Sequence, residues 1–250
     1  MSTLTAISLI LLAYAFGSIS IARLVTRLFA PSLNLEQVSL PDARTGGTFT
    51  LKTTGATTAS LVLGPRVGGL IGVLDILKGL LPALAVRLLW PEQSLYLWVG
   101  AAVVAGHIWP IFHRFHGGGG LSPALGVFLV IDPLGLLVCV LAAMILGLFV
   151  FKEITVVVMG GAVLFIPWVL LRSGDLAAAA AVLLINVLLA LAVLPDVRVQ
   201  MEARKQGKTD LSNSMDVIPM GRMMKKMMLK MGLKPHQRKV QDEDPTSTAP

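Results

Sequence analysis

Charge is what this sequence has least of. Asp, Glu, Lys and Arg together make up 14% of its 250 residues, where a soluble domain carries about 25%. Hydrophobic residues fill the deficit, at 55% with a mean hydropathy of +0.78. That balance excludes an ordinary water-soluble globule and points to an integral membrane protein. Cysteine is nearly absent: the single Cys139 rules out an intrachain disulfide and, within an apolar run, reads as a small packed hydrophobe. The four histidines lack carboxylates or thiolates at ligand spacing, so no metal site is expected. There is no G-x-S-x-G elbow, Walker loop or dinucleotide fingerprint, which leaves those hydrolase and nucleotide chemistries without a carrier. No basic stretch precedes the apolar residues 4–16 and no clear cleavage site follows, so they read as a retained first helix.

What is abundant is apolar length. A bilayer span needs about 20 apolar residues. Suitable stretches run over Leu4–Ala22, Leu61–Trp90, Leu95–Phe112, Leu121–Phe151, Ile154–Leu171 and Leu176–Leu194. The second is long enough to be tilted or broken. The fourth is too long for one crossing and is punctuated by Asp132–Pro133. Proline disfavours helix at the residue before it and suits the first position of a new helix. Splitting there predicts an all-α bundle of about seven transmembrane helices. The segment ahead of the split, Gly118–Ile131, reaches only about 20 Å at 1.5 Å per residue and reads as a half-span lining a cavity.

The net charge of +7 is unevenly laid out. With seven crossings, the loop Arg23–Arg66, the His113–Gly120 junction, Lys152 and the tail share one side, which then holds eighteen of the 21 basic residues. With six, Lys152 and the tail move to the opposite face. The positive-inside rule favours seven, with the N-terminus outside and the tail in the cytoplasm. The expected organisation is a transmembrane domain over residues 1–196 and a basic cytoplasmic tail over 197–250. Within the tail, residues 218–232 (IPMGRMMKKMMLKMG) suit a helix in the interface plane, Met down and Lys toward anionic lipid, or equally a flexible basic segment. Residues 240–250 have a disordered composition. Eleven tail cations beside a membrane anchor, with no recognition motif, argue against a nucleic-acid partner.

Polar residues gather at a few places. The string GHIWPIFHRFHGGGG, residues 106–120, leaves an apolar stretch and ends in four glycines. Bare backbone N–H groups there can approach a phosphate, which makes Gly117, Gly118, Gly119 and Gly120, with Arg114, candidate anion ligands. His107 is either a hydrogen-bonded structural residue or part of that site. Ser18, after Gly17 in AYAFGSISIARL, either bonds its own backbone or offers its hydroxyl to a substrate. Asp75 and Lys78, three apart in VLDILKGLLP, share a helix face and read first as a structural ion pair, second as shapers of a cavity. Arg44, in PDARTGG, suits bidentate phosphate recognition. The run Thr53, Gly55, Ala56, Thr57 and Thr58 stands just ahead of a helix, where anions are attracted.

In this order these strings resemble the PlsY-type glycerol-3-phosphate acyltransferases of bacteria. The matching pieces are AYAFGSISIARL, PDARTGG, TGATTAS, LDILKGLLP, GHIWPIFHRFHGGGG and, more loosely, ITVVVMGGAVLFIP, over about residues 10–200. The resemblance implies seven helices and an active site at the cytoplasmic face of the bacterial inner membrane. It implies transfer of an acyl group from acyl phosphate to the 1-hydroxyl of glycerol 3-phosphate, giving lysophosphatidate, with no cofactor: neither acyl-CoA nor a metal. Its partners are those two substrates and membrane lipids. Ser18 and Arg44 take catalytic roles, and the Thr53–Thr58 run, His107, Arg114 and the glycine run bind substrate.

The chain also departs from the family. The family's phosphate loop reads roughly G-S-G-N-x-G-A-T-N; here Gly55, Ala56 and Thr57 keep the G-A-T, while the two asparagines align with Thr53 and Thr58. The family's lysine in the glycine run falls at Gly119, and its His-x-x-Asn after the last helix at Val193 and Asp196. A lysine facing a phosphate contributes about 1.5–3 kcal/mol. The alternative reading is therefore a catalytically weak paralogue that binds a lipid phosphate or partners an active acyltransferase.

Overall fold

A computed structural model describes residues 2–41, 48–50, 53–151 and 153–205, with positions 226 and 229. Arg44, Lys52 and, apart from those two positions, the segment 218–232 lie outside the described residues. The helices are α1 (Thr3–Gly17), α2 (Ile21–Phe29), α3 (Ala56–Leu63), α4 (Pro65–Leu89), α5 (Leu95–Ile108), α6 (Leu121–Ile131), α7 (Pro133–Ile145), α8 (Ile154–Ser173) and α9 (Leu176–Lys205). Strands β1 (Ser39–Pro41) and β2 (Thr48–Thr50) pair antiparallel, with Leu40 opposite Phe49.

Among the described residues, six stretches are long and apolar enough to cross a membrane: Thr3–Phe29, Pro65–Leu89, Leu95–His113, Pro133–Val150, Thr155–Ser173 and Leu176–Pro195. The seventh, α6, has 11 residues, or about 16 Å, and is the short element expected ahead of Asp132. Its end is chemically defined. Asp132 caps α7 by accepting from Gly135 N at 3.0 Å, and Pro133 takes the first position of that helix.

Two expected spans are interrupted. Leu4–Ala22 breaks after Gly17: Ser20 starts α2 by accepting from Arg23 N at 3.4 Å. Leu61–Trp90 breaks at Gly64, whose φ of +89° is open to glycine, ahead of Pro65 at the start of α4. At the C-terminal side, α9 continues past Asp196 to Lys205, through the expected domain boundary.

Glycine sets the helix spacing, as small residues do where helices pack in lipid. A Cβ on Gly17 would lie 2.3 Å from Val103 O, and one on Gly106 2.2 Å from Tyr14 O, which locks α1 onto α5. A Cβ on Gly79 would lie 2.0 Å from Pro123 O, and one on Gly126 2.1 Å from Ile76 O, which does the same for α4 and α6. The core lies between α5, α6, α7, α8 and α9, where Phe128 and Phe165 stack at 5.0 Å between ring centroids. Outside, Leu11, Leu12, Leu137 and Leu171 are exposed, as lipid-facing residues are.

Candidate active site

The C-terminal ends of α1 and α5 and the N-terminal ends of α3 and α6 meet at one end of the bundle. Their junction is a hydrogen bond between distant segments: Thr54 N donates to Gly117 O at 2.9 Å, and Thr54 Oγ1 reaches the same oxygen at 3.3 Å. Beside it, a Cβ on Gly55 would stand 3.6 Å from Gly118 Cα, so the two glycine backbones run in contact. The threonine turn is closed on itself, with Thr58 Oγ1 donating to Thr53 O at 2.6 Å.

Two helix starts therefore lie side by side. Gly55 caps α3 and Gly120, at φ +80°, caps α6; neither start carries a side-chain cap. The N–H groups of Ala56, Thr57 and Thr58, and of Gly119, Gly120 and Leu121, have no acceptor among the described residues. Such unsatisfied donors, added to the helix dipole, favour an anion.

The glycine run is sterically required at three of its four positions. A Cβ on Gly117 would lie 2.1 Å from His107 O, on Gly118 2.3 Å from His107 Nε2, and on Gly120 2.7 Å from Ile108 Cδ1. Gly119 alone meets nothing within 4 Å. The open position is the one where the sequence resemblance puts the family's lysine.

Beneath the glycines lies a buried polar group. Lys78 Nζ donates to Gly17 O at 3.1 Å and Ile19 O at 2.9 Å, and lies 3.0 Å from His107 Nδ1 and 3.3 Å from Asp75 Oδ1. An ammonium has three protons and no lone pair. Two go to the carbonyls and the third to Nδ1, which agrees with Asp75 Oδ1 lacking any hydrogen bond. His107 Nδ1 also lies 3.5 Å from Asp75 Oδ1, and lysine donation to Nδ1 corresponds to the tautomer with its proton on Nε2, the nitrogen facing Gly118. The ion pair anticipated between Asp75 and Lys78 is present, and it does more than neutralise charge: Lys78 grips the backbone on both sides of Ser18.

Ser18 is fully buried, at 0% exposure. Its hydroxyl donates to Tyr14 O at 2.9 Å and accepts from Ile111 N at 3.2 Å. The backbone bond weighed in the sequence is the one formed, and it also ties α1 to the turn Ile111–His113. Arg114 is exposed at the end of that turn, at φ +51°. Its side chain makes no hydrogen bond or ion pair with the described residues.

Three groups escaped the sequence reading. Thr54 makes the central bond, although the sequence assigns it no role of its own within the Thr53–Thr58 run. Tyr14 Oη donates to Trp109 O at 2.6 Å. Arg23 Nη2 joins Glu36 Oε1 at 2.8 Å and His116 O at 2.7 Å. Only Thr54 carried a signal, its place inside the Thr/Gly string. Among the described residues, no three His, Cys, Asp or Glu side chains gather as metal ligands do.

Comparison with known proteins gives this arrangement a family. The sequence profile of the family described as glycerol-3-phosphate acyltransferase matches residues 7–204. A glycerol-3-phosphate acyltransferase of Myxococcus xanthus is 42% identical over 127 residues, 50% of this chain and 60% of that protein. One from Aquifex aeolicus is 34% identical over 129 residues, 51% of this chain and 60% of that one. The matched segment thus spans less than two thirds of these relatives. The fold resembles the crystal structure of PlsY (YgiH), an integral membrane glycerol 3-phosphate acyltransferase. Its glycerol 3-phosphate form has a TM-score of 0.64 at 24% identity, covering 82% of this chain and 94% of that one. Its lysophosphatidic acid form has a TM-score of 0.63 at 25% identity over the same shares. A profile match over most of the chain and a shared multi-pass helical fold place the protein in one lineage: it belongs to the glycerol-3-phosphate acyltransferase family.

Proposed function

We propose that the protein transfers an acyl group from acyl phosphate to the 1-hydroxyl of glycerol 3-phosphate, yielding lysophosphatidate and inorganic phosphate. The observation that carries this reading is the Thr54–Gly117 hydrogen bond. It holds two uncapped helix starts side by side, with His107 Nε2 packed against Gly118. A phosphate seated there accepts from the backbone N–H groups of Ala56–Thr58 and Gly119–Leu121 and from His107 Nε2–H. Arg44 supplies the bidentate charge of the catalytic site, and Arg114 a second cation at its rim.

In the reaction the glycerol hydroxyl oxygen attacks the acyl carbonyl carbon. The bond from that carbon to the phosphate oxygen breaks, and the hydroxyl proton passes to a phosphate oxygen. Catalysis rests on positioning and on fixed dipoles aimed at the leaving phosphate. Ser18, enclosed as it is, acts as a positioning residue: with Lys78 it fixes the end of α1 against the turn Ile111–His113. The site end faces the cytoplasm of a bacterial inner membrane, with the N-terminus outside, because most cations lie on that side.

The test is purified full-length protein with radiolabelled glycerol 3-phosphate and palmitoyl phosphate. Labelled lysophosphatidate should form faster than in the Ser18→Ala, Arg44→Ala double variant. Equal rates end the enzyme reading and leave the catalytically inactive relative in its place.

A further inference from the structure

A polar cavity lies apart from the glycine run. It holds about 360 Å³ and is walled by α2, the segment Pro31–Glu36 and His113. Small-molecule sites begin at about 300 Å³. Arg23 and Arg27, one turn apart on α2, both line it, and so does Thr26 between them. Arg23 and Thr26 each carry a polar atom that is buried with no hydrogen-bond partner among the described residues: Arg23 Nη1 and Thr26 Oγ1. Thr26 is 2% exposed. Donors buried without acceptors are costly, and an anion accepting from both relieves that cost. Glu36 offsets one guanidinium through Arg23 Nη2, and Arg27 has no carboxylate partner among the described residues.

The surroundings say which kind of anion. Leu24 and Leu28, exposed at 54% and 73%, stand one turn apart beside the arginine row, and Ile111 and Phe112 are exposed next to His113. An apolar row flanked by a basic row is the pattern of a helix lying in a membrane interface. A soluble anion has no use for that apolar row; a lipid does.

We propose that this cavity binds the phosphate of an anionic phospholipid head group, held by Arg27, Arg23 Nη1 and Thr26 Oγ1, with acyl chain over Leu24 and Leu28. The site is independent of the acyl-transfer reading, because its residues lie outside the glycine cradle and its readout is binding rather than turnover.

The test uses the full chain in phosphatidylcholine nanodiscs containing a minor fraction of phosphatidic acid, with retained lipid counted by native mass spectrometry. Arg27→Gln should weaken phosphatidic acid retention about tenfold, as loss of one charge-assisted contact does. Glu36→Gln, which frees Arg23 Nη2, should strengthen it. Opposite shifts cannot come from a folding defect. Unchanged retention in Arg27→Gln, or weakening by both variants, overturns the proposal. Inorganic phosphate forms the second arm. If it leaves the lipid in place, the lipid assignment stands; if it displaces the lipid, the site takes soluble phosphate and the lipid assignment is overturned.

Discussion

Lys78 Nζ lies 3.0 Å from His107 Nδ1, at the centre of a buried group that also holds Asp75 and the backbone of Gly17 and Ile19. Lys78 is 3% exposed and Asp75 1%. Each charge is tolerable only because the other is present. Lys78→Met strands a carboxylate and should destabilise the protein by about 3–5 kcal/mol. Pairing it with Asp75→Asn should recover much of that loss. Thermal unfolding in detergent measures both; equal melting of the single and double variants contradicts the coupling.

Gly119 is the one member of the glycine run with room for a side chain, and it is the position where the sequence resemblance puts the family's lysine. Gly119→Lys should therefore fold normally and place an ammonium at the cradle. Turnover should rise about 10- to 100-fold if the contact tightens in the transition state. The comparison is kcat/KM with palmitoyl phosphate. An unchanged value would mean that the phosphate does not pass over Gly119.

At the opposite end of the bundle, Asp132 fastens α7 to α8. Its carboxylate accepts from the Trp168 indole at 2.9 Å and from Arg172 Nη1 at 2.9 Å, besides Gly135 N. Burial raises its pKa, but those donors and the arginine charge together hold it below the ordinary carboxylate value. A carboxylate depressed in the folded state stabilises fully above its unfolded value, about 3.9, and loses that contribution as pH falls through the folded one. Melting followed from about pH 7 downward should show an acid loss of stability that Asp132→Asn reduces. The same acid loss in both proteins contradicts the role.

Much of this architecture is legible in the sequence because lipid simplifies the pattern. Apolar length marked the spans, and Asp132–Pro133 marked a helix boundary by chemistry that local sequence carries. The strings around Gly55 and Gly117–Gly120 marked the two segments that the structure brings together. Their meeting was not readable: a bond between Thr54 and Gly117 joins residues 63 apart, and no periodicity encodes it. The break after Gly17 was hidden for a related reason. Ser18–Ser20 sit in an apolar run, and the carbonyl grip of Lys78, fixed by tertiary packing, helps hold the bend. The backbone bond of Ser18 is one of its two sequence readings, whereas its acceptance from Ile111 N–H, 93 residues away, has no local signal.

Turnover of the Gly118→Ala variant tests the account most directly. The added Cβ would lie 2.3 Å from His107 Nε2, whereas one on Gly69, a control in α4, meets nothing within 4 Å. Labelled lysophosphatidate formation from palmitoyl phosphate should fall about 100-fold or more in Gly118→Ala, as displacing an aligned donor does, and stay near normal in Gly69→Ala. Equal activity of the two variants would contradict a phosphate cradle at the glycine run.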